Sequence, residues 1–137
     1  MSSEPTRAER IFSPRTIFTI FAGAGVLHLA KPEPWEAMVP PQLPAKRALV
    51  YASGVAEIVG GAGYLYKPTR TLASKYLVLL LIAVFPSNIH MALEPKFFKL
   101  VPGGQKALLA RLPIQFVGMW WVRRLAKRTA ATAARAA

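Results

Sequence analysis

Residues 71–93, TLASKYLVLLLIAVFPSNIHMAL, contain the purest apolar block of the chain, and this block decides the fold class. At a helical rise of about 1.5 Å per residue, such a stretch crosses the roughly 30 Å of hydrocarbon in a bilayer. Residues 48–66, ALVYASGVAEIVGGAGYLY, are long enough to do the same. Residues 16–30 and 107–122 form two shorter apolar stretches, with glycine, proline and charged residues between the four. The pattern predicts an all-α integral membrane protein, an up-down-up-down four-helix bundle.

The composition agrees with a membrane protein. Of the 137 residues 53% are hydrophobic, and 18 Lys and Arg against 6 Asp and Glu give a formal net charge of +12. In a soluble protein this charge would favour nucleic-acid binding, but here the basic residues flank apolar stretches. The basic tail also lacks the interleaved aromatic residues that stack on bases. We therefore expect contact with the lipid bilayer and no nucleic-acid partner.

The distribution of Lys and Arg predicts the orientation of the four spans. Eleven lie on the side that carries both termini and seven on the other side, so both termini should be cytoplasmic in a bacterial inner membrane. The chain then divides into a basic segment 1–15, a membrane domain 16–122 and a basic, Ala-rich tail 123–137. A signal peptide is the alternative for the first span, but three more spans follow it and no convincing cleavage site appears beyond Leu29.

The connections between the spans differ in character. Residues 31–47, KPEPWEAMVPPQLPAKR, contain five prolines together with Trp35, so they should not form one helix and should lie at the membrane interface. A lid over the outer mouth of the bundle is the sharper interpretation. The connection that contains Gly103 and Gly104 is expected to be a solvated loop, and the tail should continue the last helix briefly before it frays.

Polar residues within the apolar stretches are the candidate functional residues. A charged side chain near the bilayer centre costs roughly 2.5–3.5 kcal/mol on insertion scales, so those that remain usually face a protein interior or a cavity. The predicted topology places six of them, from four helices, in or just beneath the outer half of the bundle, and a serine lies one turn before the deepest carboxyl. The candidate ligand-binding residues are His28, Ser53, Glu57, Asn88, His90, Arg111 and Gln115.

Several interpretations of this polar group remain open. The first is structural: Glu57 pairs with Arg111, and the other side chains satisfy one another. The second is a pocket for a ligand or redox cofactor. A metal site is disfavoured because the histidines and Glu57 lack close ligand spacing, and proton transport is the fourth alternative. Asn88 and His90 are two positions apart, so a regular helix would direct at most one of them towards the cluster.

Four sequence motifs resemble the DoxX-like family of bacterial membrane proteins. They are the Gly25-x-x-His28 pattern near the end of the first span, Ser53-Gly54 with Glu57, the pair Gly60-Gly61, and a run from Phe85-Pro86 to His90. The resemblance covers about residues 16–122. It implies a four-helix membrane bundle and, for some members, association with quinone-linked redox complexes. This chain has no cysteine, which counts against the thiol–disulfide role of other members.

Three classes of function follow from these features. We expect a binding or accessory subunit whose outer-half pocket holds a quinone or a similar small amphiphile, with a membrane redox complex or a second copy of the chain as partner. The alternative is a ligand-free structural partner that packs through the small residues Ala52, Ala56 and Gly60. A standalone enzyme is disfavoured because no nucleophile–base pattern, nucleotide-binding glycine motif or carboxylate pair is present.

Overall fold

The computed structural model describes residues 13–136, and within this range the chain is helical without any strand. Its α-helices are α1 (Pro14–Ala30), α2 (Glu33–Met38), α3 (Lys46–Leu65), α4 (Arg70–Leu93) and α5 (Gly104–Ala136). Short 3-10 turns at Lys67–Thr69 and Pro95–Phe97 precede and follow α4. The all-α prediction is confirmed.

Helix α1 begins where the sequence supplies both a cap and a proline. The Ser13 side chain accepts a hydrogen bond from the Thr16 backbone N–H at 3.2 Å. Pro14 occupies the first helical position, where its missing N–H costs nothing. Pro14 therefore lies in the first turn of this helix, while most of the basic segment 1–15 lies outside the described residues.

Long helices that follow one another in the chain run antiparallel. Gly25 of α1 meets Gly54 of α3, and further along the same pair Phe21 meets Gly61. Contacts between α3 and α4, and between α4 and α5, follow the same antiparallel order. One end of the molecule, here called the Trp35 end, contains α2, the end of α1 and the start of α3. The opposite end, called the Arg70 end, contains the end of α3, the start of α4 and the last turns of α5.

Two apolar clusters hold these helices together. At the Arg70 end the buried residues come from α1, α3, α4 and α5: Ile17, Phe21, Tyr64, Ala73, Leu77, Val122 and Ala126. The second cluster, at the Trp35 end, contains Met91, Ala92, Phe97 and Leu108. Burial of each large apolar side chain contributes about 1.5–3 kcal/mol, so these clusters fix the helix order at both ends.

The surface of the helices is strongly apolar. Two segments, Lys46–Leu65 and Lys67–Leu93, are long and apolar enough to cross a membrane, and most of each faces outward rather than into the protein. Helix α4 alone leaves Leu72 70% exposed and Leu79 66% exposed. A helix that is apolar all round without being buried in protein is typical of a membrane span.

Two segments differ from the sequence expectation, while the proline-rich connection does not form one helix throughout. Residues 33–38 form a short helix within the proline-rich connection. The connection after α4 is not a plain solvated loop, because Phe97 is only 3% exposed and packs in the second cluster. Helix α5 continues to Ala136 instead of fraying soon after residue 122. Helix-forming Ala, Lys and Arg in the tail explain the continuation.

Candidate functional site

A close crossing of α1 and α3 creates the candidate site. A Cβ atom added to Gly25 would collide with the carbonyl oxygen of Gly54 and lie 2.8 Å from Ile58. A Cβ atom on Gly54 would lie 2.8 Å from the Cβ of His28. Only glycine permits this approach at both positions, and it brings His28, one turn beyond Gly25, against Glu57.

His28 and Glu57 are in direct contact inside the protein. The Nδ1 atom of His28 lies 3.2 Å from Oε2 of Glu57, and the two residues are 8% and 9% exposed. Nδ1 also lies 2.7 Å from the carbonyl oxygen of Ala24. A carbonyl oxygen only accepts, so Nδ1 carries a proton and donates a hydrogen bond to Ala24. In the neutral form of the ring, Nε2 is then an acceptor.

This arrangement leaves Glu57 with an unsatisfied atom. Its Oε2 is buried, and no donor within the described residues forms a hydrogen bond with it. A buried polar atom without a hydrogen bond costs about 1–3 kcal/mol, and more when it is charged. The site therefore presents one buried acceptor, Glu57 Oε2, without a donor to match it.

Helix α2 covers the site through Trp35. The indole ring stacks on the imidazole of His28 with 4.0 Å between ring centroids and 20° between the planes. Arg47 at the start of α3 holds α2 in place, since its guanidinium hydrogen-bonds Glu36 and lies 3.5 Å from Glu33. This ion-pair cluster is largely exposed, so it can break at little cost.

Two other candidate residues form a separate network between α4 and α5. Asn88 donates a hydrogen bond from Nδ2 to Oε1 of Gln115, and Gln115 donates from Nε2 to the carbonyl of Leu81. No hydrogen bond or ion pair joins this network to His28 and Glu57 within residues 13–136.

The remaining candidates have their own neighbours. Ser53 donates its hydroxyl proton to the carbonyl of Val50 at 2.9 Å. His90 stands edge-on to Phe97 with 6.0 Å between ring centroids. Arg111 is exposed and its Nη1 lies 4.0 Å from the sulfur of Met91.

The expected pair of Glu57 with Arg111 is therefore not formed. Glu57 lies against His28, and no ion pair of Arg111 occurs within the described part of the chain. Arg111 lies on α5 and contacts Met91 of α4, whereas Glu57 lies at the contact between α1 and α3. Counting residues along each predicted span estimates how deep a side chain lies, but it does not predict the direction in which each helix face is turned.

Metal ligands do not gather at this site. Within residues 13–136 no group of three or more His, Asp or Glu side chains is close enough to hold a metal ion. His90 contacts Phe97 rather than the His28–Glu57 pair. The pair alone supplies too few ligands for a closed metal site.

Arg70 is a buried polar residue that the sequence pattern did not single out. It is 6% exposed and donates from Nε to the Tyr64 carbonyl at 2.8 Å and from Nη2 to the Leu65 carbonyl at 3.0 Å. Its Nη1 donates to the Thr129 hydroxyl at 3.0 Å. Arg70 thus satisfies the last carbonyls of α3 and joins them to α5, a role that basic residues often have at helix C-termini. Its position after a Pro-Thr turn between two apolar stretches was the available signal.

Comparison with known proteins gives a family without an assigned activity. The family model described as Domain of unknown function (DUF8561) matches residues 17–126. The chain belongs to this family. The match includes all four long helices in part and both His28 and Glu57. No curated protein and no solved structure matches the chain.

Proposed function

We propose that the protein is a four-span integral membrane protein, similar to DoxX-like proteins, that binds a small amphiphile at the His28–Glu57 site. The exposed apolar surfaces of α3 and α4 support the membrane location. In this orientation both termini are cytoplasmic and the Trp35 end faces outward in a bacterial inner membrane. The protein acts as a binding or accessory subunit of a membrane redox complex.

The observation that carries the ligand proposal is the buried Oε2 of Glu57 without a hydrogen-bond donor. His28 adds a second acceptor at Nε2, because its Nδ1 proton is used by Ala24. The Asn88 amide donates to the Gln115 side-chain oxygen, and the Gln115 amide donates to the carbonyl of Leu81. The chemistry of the site therefore favours a ligand that donates hydrogen bonds.

This chemistry selects the reduced form of a quinone. A hydroquinone carries two hydroxyl donors on a flat ring, whereas the oxidised quinone carries only acceptors. Its ring can stack against the Trp35 indole, and its apolar tail can lie along the exposed faces of α1 and α3 in lipid. A quinol therefore satisfies the two acceptors and matches the apolar surroundings.

Helix α2 controls access to the site in this proposal. Trp35 stacks directly on His28, so the ligand ring enters only when α2 moves or when the ring takes over the stacking position. The exposed contacts of Arg47 with Glu33 and Glu36 hold the closed position weakly. The prolines on both sides of α2 keep the segment separate from α1 and α3, so it can move as a unit.

Binding of a short-chain ubiquinol to the purified full-length protein tests the proposal. Trp120 and Trp121 are replaced by Phe, so that Trp35 is the only tryptophan and its fluorescence reports on the site. We expect a saturable change with the quinol and at least about tenfold weaker binding of its dimethyl ether, which lacks both donors.

The matched variants are Glu57→Gln and Glu94→Gln. Glu57→Gln should weaken quinol binding about tenfold or more, because the amide group can present an N–H donor where the quinol hydroxyl needs an acceptor, and a buried polar group left unsatisfied costs about 1–3 kcal/mol. Glu94 follows α4 and has no contact with His28 in the described chain, so Glu94→Gln should bind as the parent does. Equal affinity for the quinol and its ether, or no loss in Glu57→Gln, would contradict the proposal and favour a purely structural His28–Glu57 pair.

A further inference from the structure

The Arg70 end contains a groove that the proposed quinol site does not use. It has a volume of about 780 Å³ and lies between the connection from α3 to α4 and the last turns of α5. Leu125 and Ala126 contribute apolar surface. The polar lining consists of three cations and three hydroxyls: Lys67, Arg70, Arg128, Thr71, Thr129 and Thr132.

Among residues 13–136, no carboxylate balances the charge of this groove. The carboxylates of residues 13–136 belong to Glu33, Glu36, Glu57 and Glu94, and all lie on α2, within α3 or beyond the far end of α4. No carboxylate in this range forms an ion pair with Lys67, Arg70 or Arg128. Arg70 is only 6% exposed, and a buried cation is stabilised by an anion nearby.

The buried cation is held in a fixed position. Three of its hydrogen bonds go to Tyr64 O, Leu65 O and the Thr129 hydroxyl. Thr129 in turn donates to the carbonyl of Leu125 at 3.1 Å. The guanidinium therefore provides a rigid positive floor, while Lys67 and Arg128 are exposed and can close on a bound anion.

We propose that this groove binds the phosphate headgroup of an anionic phospholipid. Cations with hydroxyls beside an apolar wall match a lipid phosphate followed by an acyl chain, and basic pockets between helices on the cytoplasmic side are a common form of lipid recognition. The inference rests on the membrane location proposed above. It does not depend on the ligand of the His28–Glu57 site, which lies at the opposite end.

Native mass spectrometry of the full-length protein with defined lipids tests this inference. The protein in mild detergent is titrated with phosphatidylglycerol and, separately, with phosphatidylcholine. We expect a single preferred phosphatidylglycerol site and at least about fivefold weaker binding of phosphatidylcholine. The exposed pair is changed in the variant Lys67→Gln/Arg128→Gln, which leaves the buried Arg70 and its three hydrogen bonds in place. This variant should bind phosphatidylglycerol about 25-fold more weakly, at about fivefold for each basic residue.

The matched control is Arg123→Gln/Lys127→Gln, which removes the same charge from exposed positions of α5 outside the groove. The control should lower the logarithm of the phosphatidylglycerol affinity by less than about a third of the decrease expected for Lys67→Gln/Arg128→Gln. Equal losses in both, or equal binding of the two lipids, would overturn the site. Inorganic phosphate is the probe for a free anion. If low millimolar phosphate displaced the lipid, the groove would be a site for free phosphate and the proposal of a lipid headgroup would be overturned. Loss of quinol binding with lipid selectivity intact would overturn only the function proposed above.

Discussion

Replacing Gly25 by Ala tests the close helix crossing on which the candidate site depends. The new Cβ would collide with the backbone oxygen of Gly54, lie 2.8 Å from Ile58 Cγ1 and lie 3.3 Å from Glu57 Cβ. Since a backbone atom cannot rotate away, α1 and α3 must separate by roughly 1 Å to reach the 3.5–4.0 Å of ordinary carbon contacts. The 3.2 Å contact between His28 and Glu57 would then lengthen to about 4 Å.

The energetic cost of this change can be worked from two opposing terms. Overpacking costs about 1–3 kcal/mol, and replacing a helical Gly by Ala returns about 0.5–1 kcal/mol. With central values of about 2 and 0.75 kcal/mol, the net loss is about 1 kcal/mol, which corresponds to a Tm decrease of roughly 3–5 °C for a chain of this size. The quinol affinity should fall as well, because the two acceptors move apart.

The matched control is Gly23→Ala on the same helix, where an added Cβ has no atom within 4 Å. Its Tm should equal or slightly exceed that of the parent, because alanine is the better helix former. The assay is thermal unfolding of both variants in the same detergent, followed by fluorescence. If Gly25→Ala were as stable as Gly23→Ala and retained its quinol affinity, the close crossing would not be what positions His28 and Glu57.

Three further predictions concern the contacts around the site. In a double-mutant cycle on thermal stability, His28→Ala and Glu57→Gln should be coupled by more than about 0.5 kcal/mol, because His28 contacts the carboxyl. Arg111→Gln and Glu57→Gln should be additive, because Arg111 contacts Met91 instead. Strong coupling between Arg111 and Glu57 would refute this assignment. Arg47→Gln should speed amide hydrogen exchange in residues 33–38 and lower the free energy of unfolding by less than about 1 kcal/mol. Unchanged exchange would show that Arg47 does not hold α2 in place. In the cysteine-free chain, a cysteine at Gln42 should label from outside intact cells, whereas one at Ser3 or Ala134 should label only after lysis; labelling of both termini from outside would invert the orientation.

The long helices were predictable from the sequence because length and hydropathy alone define them. The apolar run 71–93 became α4 with almost the same bounds, and the predicted span 48–66 became α3. Proline at position 14 fixed the start of α1 through a local rule about missing N–H groups. These features depend on neighbouring residues in the chain, so a single sequence contains the necessary information.

The partner of Glu57 was not predictable by the same reasoning. Counting residues from a membrane surface gives the depth of a side chain, but the rotation of each helix about its axis depends on packing with other helices. The Gly25–Gly54 contact sets that rotation and selects His28. Arg70 was missed for a related reason, since its hydrogen bonds reach the end of α3 and Thr129, which is 59 positions away.

The segments outside the apolar stretches were predicted least well. Phe97 looked like a loop residue by its surroundings in sequence, with prolines, glycines and lysines nearby. In the structure it fills a space between α4 and α5 and is buried with Met91 and Leu108. Such burial depends on the gap that two packed helices leave open, and no local pattern reports that gap.

Extraction of the full-length protein from native membranes, followed by mass spectrometry of the small molecules that remain bound, tests the central claim most directly. The parent protein and Glu94→Gln should both retain a quinone or quinol well above a control membrane protein purified in parallel. Glu57→Gln should retain little because it lacks the buried carboxyl acceptor Oε2. Retention at background level by the parent, or equal retention by the parent and Glu57→Gln, would contradict the claim that His28 and Glu57 form a quinol-binding site.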